Sequence, residues 1–170
     1  EITMMLSAFS NTETIHIAAY SYLLDTIGMP ELEYEAFLHI KEMRDKYEYM
    51  QGFNVESNVE IAKTLAMFGA FTEGLQLFAS FAILLNFPRF NKMKGMGQIV
   101  TWSARDETLH TNSIIKLLHT FLDENPDVKR EALAKDLYKA CDTVIHHEDA
   151  FIDRAFELGG VEGLNAEDVK

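Results

Sequence analysis

The sequence predicts an all-α helical bundle, and three observations predict it. Only 3 Pro and 9 Gly interrupt 170 residues, which favours long uninterrupted helices, because these two residues break them. Hydrophobic residues make up 48% of the chain, enough for a packed interior and against wholesale disorder. Apolar residues recur at spacings of three and four, the period of a helix with one buried face.

Each element has its own signal. A first helix is expected from Ile2 to Ile27, stopped by Gly28 and Pro30. A second runs from Glu31 to about Met50, with Leu32, Phe37, His39, Ile40 and Met43 set among charged residues. It reads as amphipathic, with Glu31, Glu35 and Glu42 in solvent. A third opens with the capping box Ser57-Asn58-Val59-Glu60 and continues to about Phe87, where Pro88 ends it. Its half from Phe68 to Phe87 is apolar on nearly every side and is expected to be buried all round. A fourth starts after Gly95 and Gly97 and runs to about Leu122, with Trp102 in the core. A fifth is capped by Asn125, with Pro126 at its first position, and ends at Gly159-Gly160. Its stripe is Leu133, Leu137, Ala140, Val144, His147 and Phe151. Five long helices with short connections make one bundle domain over residues 1–170.

Composition narrows the partners. The formal charge of -12 comes from 27 Asp+Glu against 15 Lys+Arg, which argues against nucleic acid and against an anionic membrane surface. No apolar run reaches transmembrane length. A single cysteine, Cys141, excludes a disulfide framework and a cysteine-based zinc site and fits a reducing cytoplasm. The opening residues lack a starting Met and run straight into an amphipathic pattern, as in a piece of a longer chain.

The chemistry lies in two Glu-x-x-His pairs, Glu13/His16 and Glu107/His110. Residues three apart share a helix face, so each pair offers one oxygen and one nitrogen to a single ion. With 17 Glu and 6 His, one such pair is expected by chance about 0.6 times, so placement has to add weight. Both pairs fall on inward faces, among Leu6, Phe9, Ala19 and Leu23 in one helix and Val100, Ile114 and Leu117 in the other. Charge there is costly unless paired or bound to metal. Glu73 is the only acid between Ala62 and Phe87; it needs a cation, a hydrogen-bond partner or a raised pKa, or else it is a protonated structural acid. Carboxylate bundles that hold two irons or two manganese ions use one Glu from each of two helices plus Glu-x-x-His from each of two others. Three of those four helices are represented here. Oxygen-rich ligands with one imidazole per ion suit iron or manganese. Tyr20 stands four residues after His16 on the same face, where it is either a core tyrosine or a redox partner.

These stretches, together with Phe71-Thr72-Glu73-Gly74, Phe78-Ala79-Ser80-Phe81 and Arg105-Asp106-Glu107, resemble the small, radical-generating subunit of class I ribonucleotide reductase. The resemblance implies a ferritin-like di-metal carboxylate bundle, here incomplete, that holds two iron ions, with manganese as the alternative. Glu13, His16, Glu73, Glu107 and His110 would be metal ligands. Tyr20 would carry the radical, Asp106 would bond toward the first histidine on the radical-transfer route, and Leu77 and Phe81 would wall the radical pocket. The radical would pass to a separate large subunit that reduces ribonucleotides, and the small subunit would be a homodimer. The family's upstream aspartate ligand, upstream tryptophan and docking tail have no counterpart, leaving five of six ligands. The chain is accordingly expected to be a fragment, inactive by itself, with partial metal occupancy and no stable radical.

Other readings of the same residues are a ferritin-like di-metal oxidase or oxygenase, an iron-storage shell, or a structural bundle with hydrogen-bonded buried acids. His39, His119, His146 and His147 carry no assigned role, and His146-His147-Glu148-Asp149 cannot converge on one ion, because neighbours on a helix point about 100° apart.

Overall fold

The structure, a computed structural model, describes residues 1–33 and 39–170. It is all-α, with no strand among the described residues and only an isolated bridge between Val161 and Leu164. Helix α1 spans Ile2–Ile27, α2 Lys41–Gln51 and α3 Asn58–Ala66. A π-helical segment, Met67–Gln76, follows α3 directly, and α4 spans Phe78–Arg89. Then come α5, Lys94–Glu124, α6, Arg130–Ala155, and a short α7, Ala166–Val169.

Helix α5 is the hub. The other long elements pack on it or on each other around three apolar clusters. One joins Ala62 and Ala66 of α3 to Leu118 and Leu122 of α5 and Leu133 of α6. A second sets Met67 of the π segment against Ala140 and Val144 of α6, with Tyr49 and Met50 of α2. The third joins Phe81 of α4 to Met96 and Val100 of α5, with Tyr20 and Leu23 of α1. Two glycines permit close approaches at α5. A Cβ at Gly69 would lie 2.7 Å from Ile114 Cγ2, and one at Gly97 would overlap the Pro88 ring.

Several sequence expectations need correction. Helix α1 ends at Gly28 as expected, with φ +75°. The second predicted helix is broken instead: Ile40 is extended, with ψ 116°, and α2 begins at Lys41. Phe37 and Glu35 lie outside the described residues. Only the serine half of the Ser57 capping box forms, with Ser57 Oγ accepting from the Glu60 N–H at 3.2 Å; the Glu60 carboxylate pairs with Lys63 instead. Pro88 does not stop α4 but sits in its last turn, where a missing N–H costs one bond.

Asn125 closes α5 rather than opening α6. Its Nδ2 donates to the Phe121 carbonyl at 2.8 Å, and its Oδ1 accepts from Asn58 at 2.9 Å. Helix α6 therefore starts at Arg130 and ends at Ala155. Toward its C-terminal end, Glu148 and Ile152 are buried, where the predicted stripe placed His147 and Phe151.

The apolar run is not buried all round. Phe68 is 40% and Phe78 46% exposed, although α5 and α6 both pack on the run. The continuous helical run Asn58–Arg89 is also long and apolar enough to cross a membrane, by length and composition alone. The sequence expectation missed this by counting uninterrupted apolar residues. Leu6, at 48% exposed, does not face inward, and Trp102, at 54%, projects from α5 and is not core.

Candidate metal centre

The spacing of three in each Glu-x-x-His pair puts both side chains of the pair on one face, and α1 lies along α5 so that these faces meet. Glu13, Glu73, Glu107 and His110 each bring one ligand atom into a group whose members lie within 4.8 Å of one another. His110 Nδ1 is 3.1 Å from Glu107 Oε2, 3.3 Å from Glu13 Oε1 and 3.6 Å from Glu73 Oε2. His16 stands beside the group. Its Nδ1 is 3.3 Å from Glu107 Oε1 and 3.5 Å from Glu13 Oε2. Glu13 and Glu107 thus each turn one oxygen toward one imidazole and the other oxygen toward the second.

Glu73 reaches this point from the π segment. A π turn closes i→i+5 hydrogen bonds and is wider than an α turn, so side chains there leave the 3.6-residue register. Glu107 and His110 are fully enclosed, at 3% and 2% exposed, and the Phe9 ring lies over His110 with centroids 4.2 Å apart.

The electrostatics are those of several carboxylates gathered at one partly buried point. Burial, then hydrogen bonding to Glu73 and the charges of Glu73, Glu13 and Asp106, push the Glu107 carboxyl up to about 9. Glu13 Oε1 is buried without a hydrogen-bond partner. An orphaned carboxylate oxygen beside a carboxyl forced to keep its proton is what a bound cation relieves. A donor set of carboxylate oxygens with one imidazole nitrogen at each end suits iron or manganese. The residues fit a metal pair.

The supporting contacts are ordered as well. His16 Nε2 lies 3.3 Å from Asp106 Oδ2, leaving Nδ1 directed at the carboxylates; such an outer partner fixes ring orientation. Burial pushes the Asp106 carboxyl up, but the hydrogen bonds from Arg105 and His16, with their charges, outweigh it and hold it below the usual range. The Tyr20 hydroxyl donates to Ser103 Oγ at 3.0 Å. Burial raises the Tyr20 phenol; the Ser103 bond lowers it by less, and the Glu107 charge raises it further. Tyr20 borders a cleft of about 720 Å³ whose lining includes His16, Leu77, Phe81, Ser103 and Glu107.

All seven residues singled out in the sequence therefore stand in one region. Glu13, Glu73, Glu107 and His110 converge, His16 and Asp106 adjoin them, and Tyr20 lies one turn beyond His16. Ser103 was missed, although it precedes Glu107 by four and so shares its face. The other histidine cluster does not converge: the His146 and His147 rings are 6.2 Å apart, His147 faces Tyr49, and Glu148 pairs with Lys46.

Fold and site together define a ferritin-like helical bundle with a carboxylate-and-histidine metal-binding group. The chain belongs to the ribonucleotide reductase small chain family, whose pattern it matches over residues 1–170. It is 43% identical over 183 residues to the probable ribonucleoside-diphosphate reductase small subunit 376L of Invertebrate iridescent virus 6, covering 97% of this chain and 51% of that protein. It is 41% identical over 191 residues to the probable small subunit 048L of Invertebrate iridescent virus 3, covering 100% and 50%. A ribonucleoside-diphosphate reductase subunit beta of Chlamydia pneumoniae is 27% identical over 159 residues, covering 86% and 43%. The chain spans about half the length of the viral relatives it matches.

Proposed function

We propose that this chain is the metal-binding part of a small subunit of ribonucleoside-diphosphate reductase, and that residues 1–170 act as one bundle domain within it. Two iron ions are held by Glu13, His16, Glu73, Glu107 and His110, and manganese is the alternative metal. The observation that carries this reading is the two-sided presentation of Glu13 and Glu107, one oxygen toward each imidazole. Such an arrangement would offer carboxylate oxygen and imidazole nitrogen together at each of two ion positions.

When bound, the metal pair supplies one-electron oxidising power drawn from dioxygen. The protein's residues do the rest. Asp106 orients His16 through Nε2 and keeps its Nδ1 on the ligand side. Leu77 and Phe81 give the cleft beside Tyr20 an apolar wall, and Tyr20 is the residue oxidised to a radical. Asp106 and His16 form the start of the route by which the oxidising equivalent leaves for a large catalytic subunit, where ribonucleotides become deoxyribonucleotides. The small subunit acts as a homodimer in the cytoplasm, with neither nucleic acid nor membrane as partner.

The test is paramagnetic resonance with metal analysis on the full-length protein after aerobic loading with ferrous iron. The expected result is two irons per subunit and a tyrosyl signal that Tyr20→Phe abolishes. A signal that survives Tyr20→Phe, or metal content unchanged in Glu73→Ala, would overturn the assignment.

A further inference from the structure

Ser103 is a buried hydroxyl of α5 that does not follow the pattern of three threonines on its helix. Thr101, Thr108 and Thr120 each donate to the carbonyl four residues earlier, at 2.8, 2.8 and 3.1 Å. Ser103 is 2% exposed and bonds to the Tyr20 hydroxyl instead. Apolar Phe81 and Leu77 line the same cleft, together with His16 and Glu107. A buried hydroxyl needs a partner. Tyr20 supplies it, across two helices that the sequence separates by 83 positions.

The chemistry of the pair follows from its hydrogens. A phenol and a serine hydroxyl can each donate or accept. In the structure the phenol donates and the serine oxygen accepts, which leaves the serine hydrogen free of that bond. Resting on the proposed function, we infer that Ser103 is a positioning residue for Tyr20 that reverses this bond when Tyr20 is oxidised. Oxidation breaks the phenolic O–H bond. One electron and one proton leave Tyr20 for the dioxygen-derived oxidant, which gains both. The neutral phenoxyl oxygen then has no hydrogen and can only accept. The Ser103 hydroxyl rotates about its C–O bond and donates to it, with no movement of either backbone. Ser103 thereby holds the ring in one orientation in both states and stabilises the oxidised one.

Two measurements decide the matter, on wild type, Ser103→Ala and the conservative Ser103→Thr, with Tyr20→Phe to isolate the Tyr20 signals. In the metal-free full-length protein, the Tyr20 C–O stretch is read by vibrational difference against Tyr20→Phe. It is expected to shift in Ser103→Ala and to return in Ser103→Thr. After aerobic iron loading, the tyrosyl signal of wild type is expected to carry an exchangeable-hydrogen coupling that disappears in heavy water. That coupling should be lost in Ser103→Ala and retained in Ser103→Thr, with the radical lifetime several-fold shorter in the alanine variant. An unchanged C–O stretch, or a Ser103→Ala radical that keeps the coupling, overturns the inference. Absence of any tyrosyl signal in wild type defeats the proposed function instead, and the metal-free vibrational measurement still judges the Tyr20–Ser103 bond.

Discussion

Glu107 holds a proton that solvent-exposed glutamates give up two or more pH units below neutrality. It keeps it because the Glu73 and Glu13 carboxylates crowd it in a place water does not reach. A cation entering the site must displace that proton. Adding ferrous iron or manganese at pH 7 in weak buffer is expected to release about one proton per site, measured by a pH indicator; Glu107→Gln should remove that release. Stability carries the same signature. The folded-state pKa lies near 9 and the unfolded one near 4.5. From 4.5 upward the unfolded chain ionises while the folded one does not, so metal-free stability falls as pH rises, by up to about 1.4 kcal/mol per unit, until about pH 9. Below 4.5 this contribution is absent from the slope, because both states bind the proton. Urea unfolding across this range, without and with metal, checks the sign; bound metal should flatten the slope.

At the scale of the element, the π segment is the least ordinary piece of backbone and the one that delivers Glu73. It is also tightly packed. A methyl group at Gly69 would press on Ile114 at 2.7 and 2.9 Å. Gly69→Ala is therefore expected to cost about 1–3 kcal/mol by overpacking, read as a lower urea midpoint, and to weaken metal binding because the turn bearing Glu73 must shift. None of this was legible in the sequence, since Met67–Gln76 has the composition of any apolar helix and nothing in residue type marks an i→i+5 turn. The break at Ile40 was hidden for a related reason: no Gly or Pro announces it. Asn125-Pro126 misled because asparagine suits both ends of a helix; here its side chain turns back to Phe121. The ligand residues were legible because the site's logic is local. A spacing of three puts Glu and His on one face whatever the tertiary structure, and an acid inside an apolar run stands out.

At the scale of the whole molecule, α2 and α6 are joined by a buried charge pair. Lys46 Nζ lies 2.5 Å from Glu148 Oε1, with both side chains mostly enclosed. Burial raises the Glu148 carboxyl, and the Lys46 contact lowers it by less. Lys46→Ala would leave an acid stranded in the interior and is expected to cost about 3–5 kcal/mol, while Lys46→Met with Glu148→Leu should recover most of that loss. Thermal or denaturant unfolding of the three proteins compares them directly.

Helix α1 has no fully buried residue along its 26 positions, yet it contributes Glu13, His16 and Tyr20. Its grip on the bundle comes largely through the polar contacts of the centre itself, with Phe9 and Leu23 as apolar help. Ions bound there would act as a clasp, fastening a strut that greasy packing secures only loosely. Occupancy and attachment are then one equilibrium, since whatever favours the docked helix favours loading, and the reverse. Amide hydrogens of residues 2–27 should exchange with solvent far more slowly once the clasp is shut, while those at the centre of α5 change little.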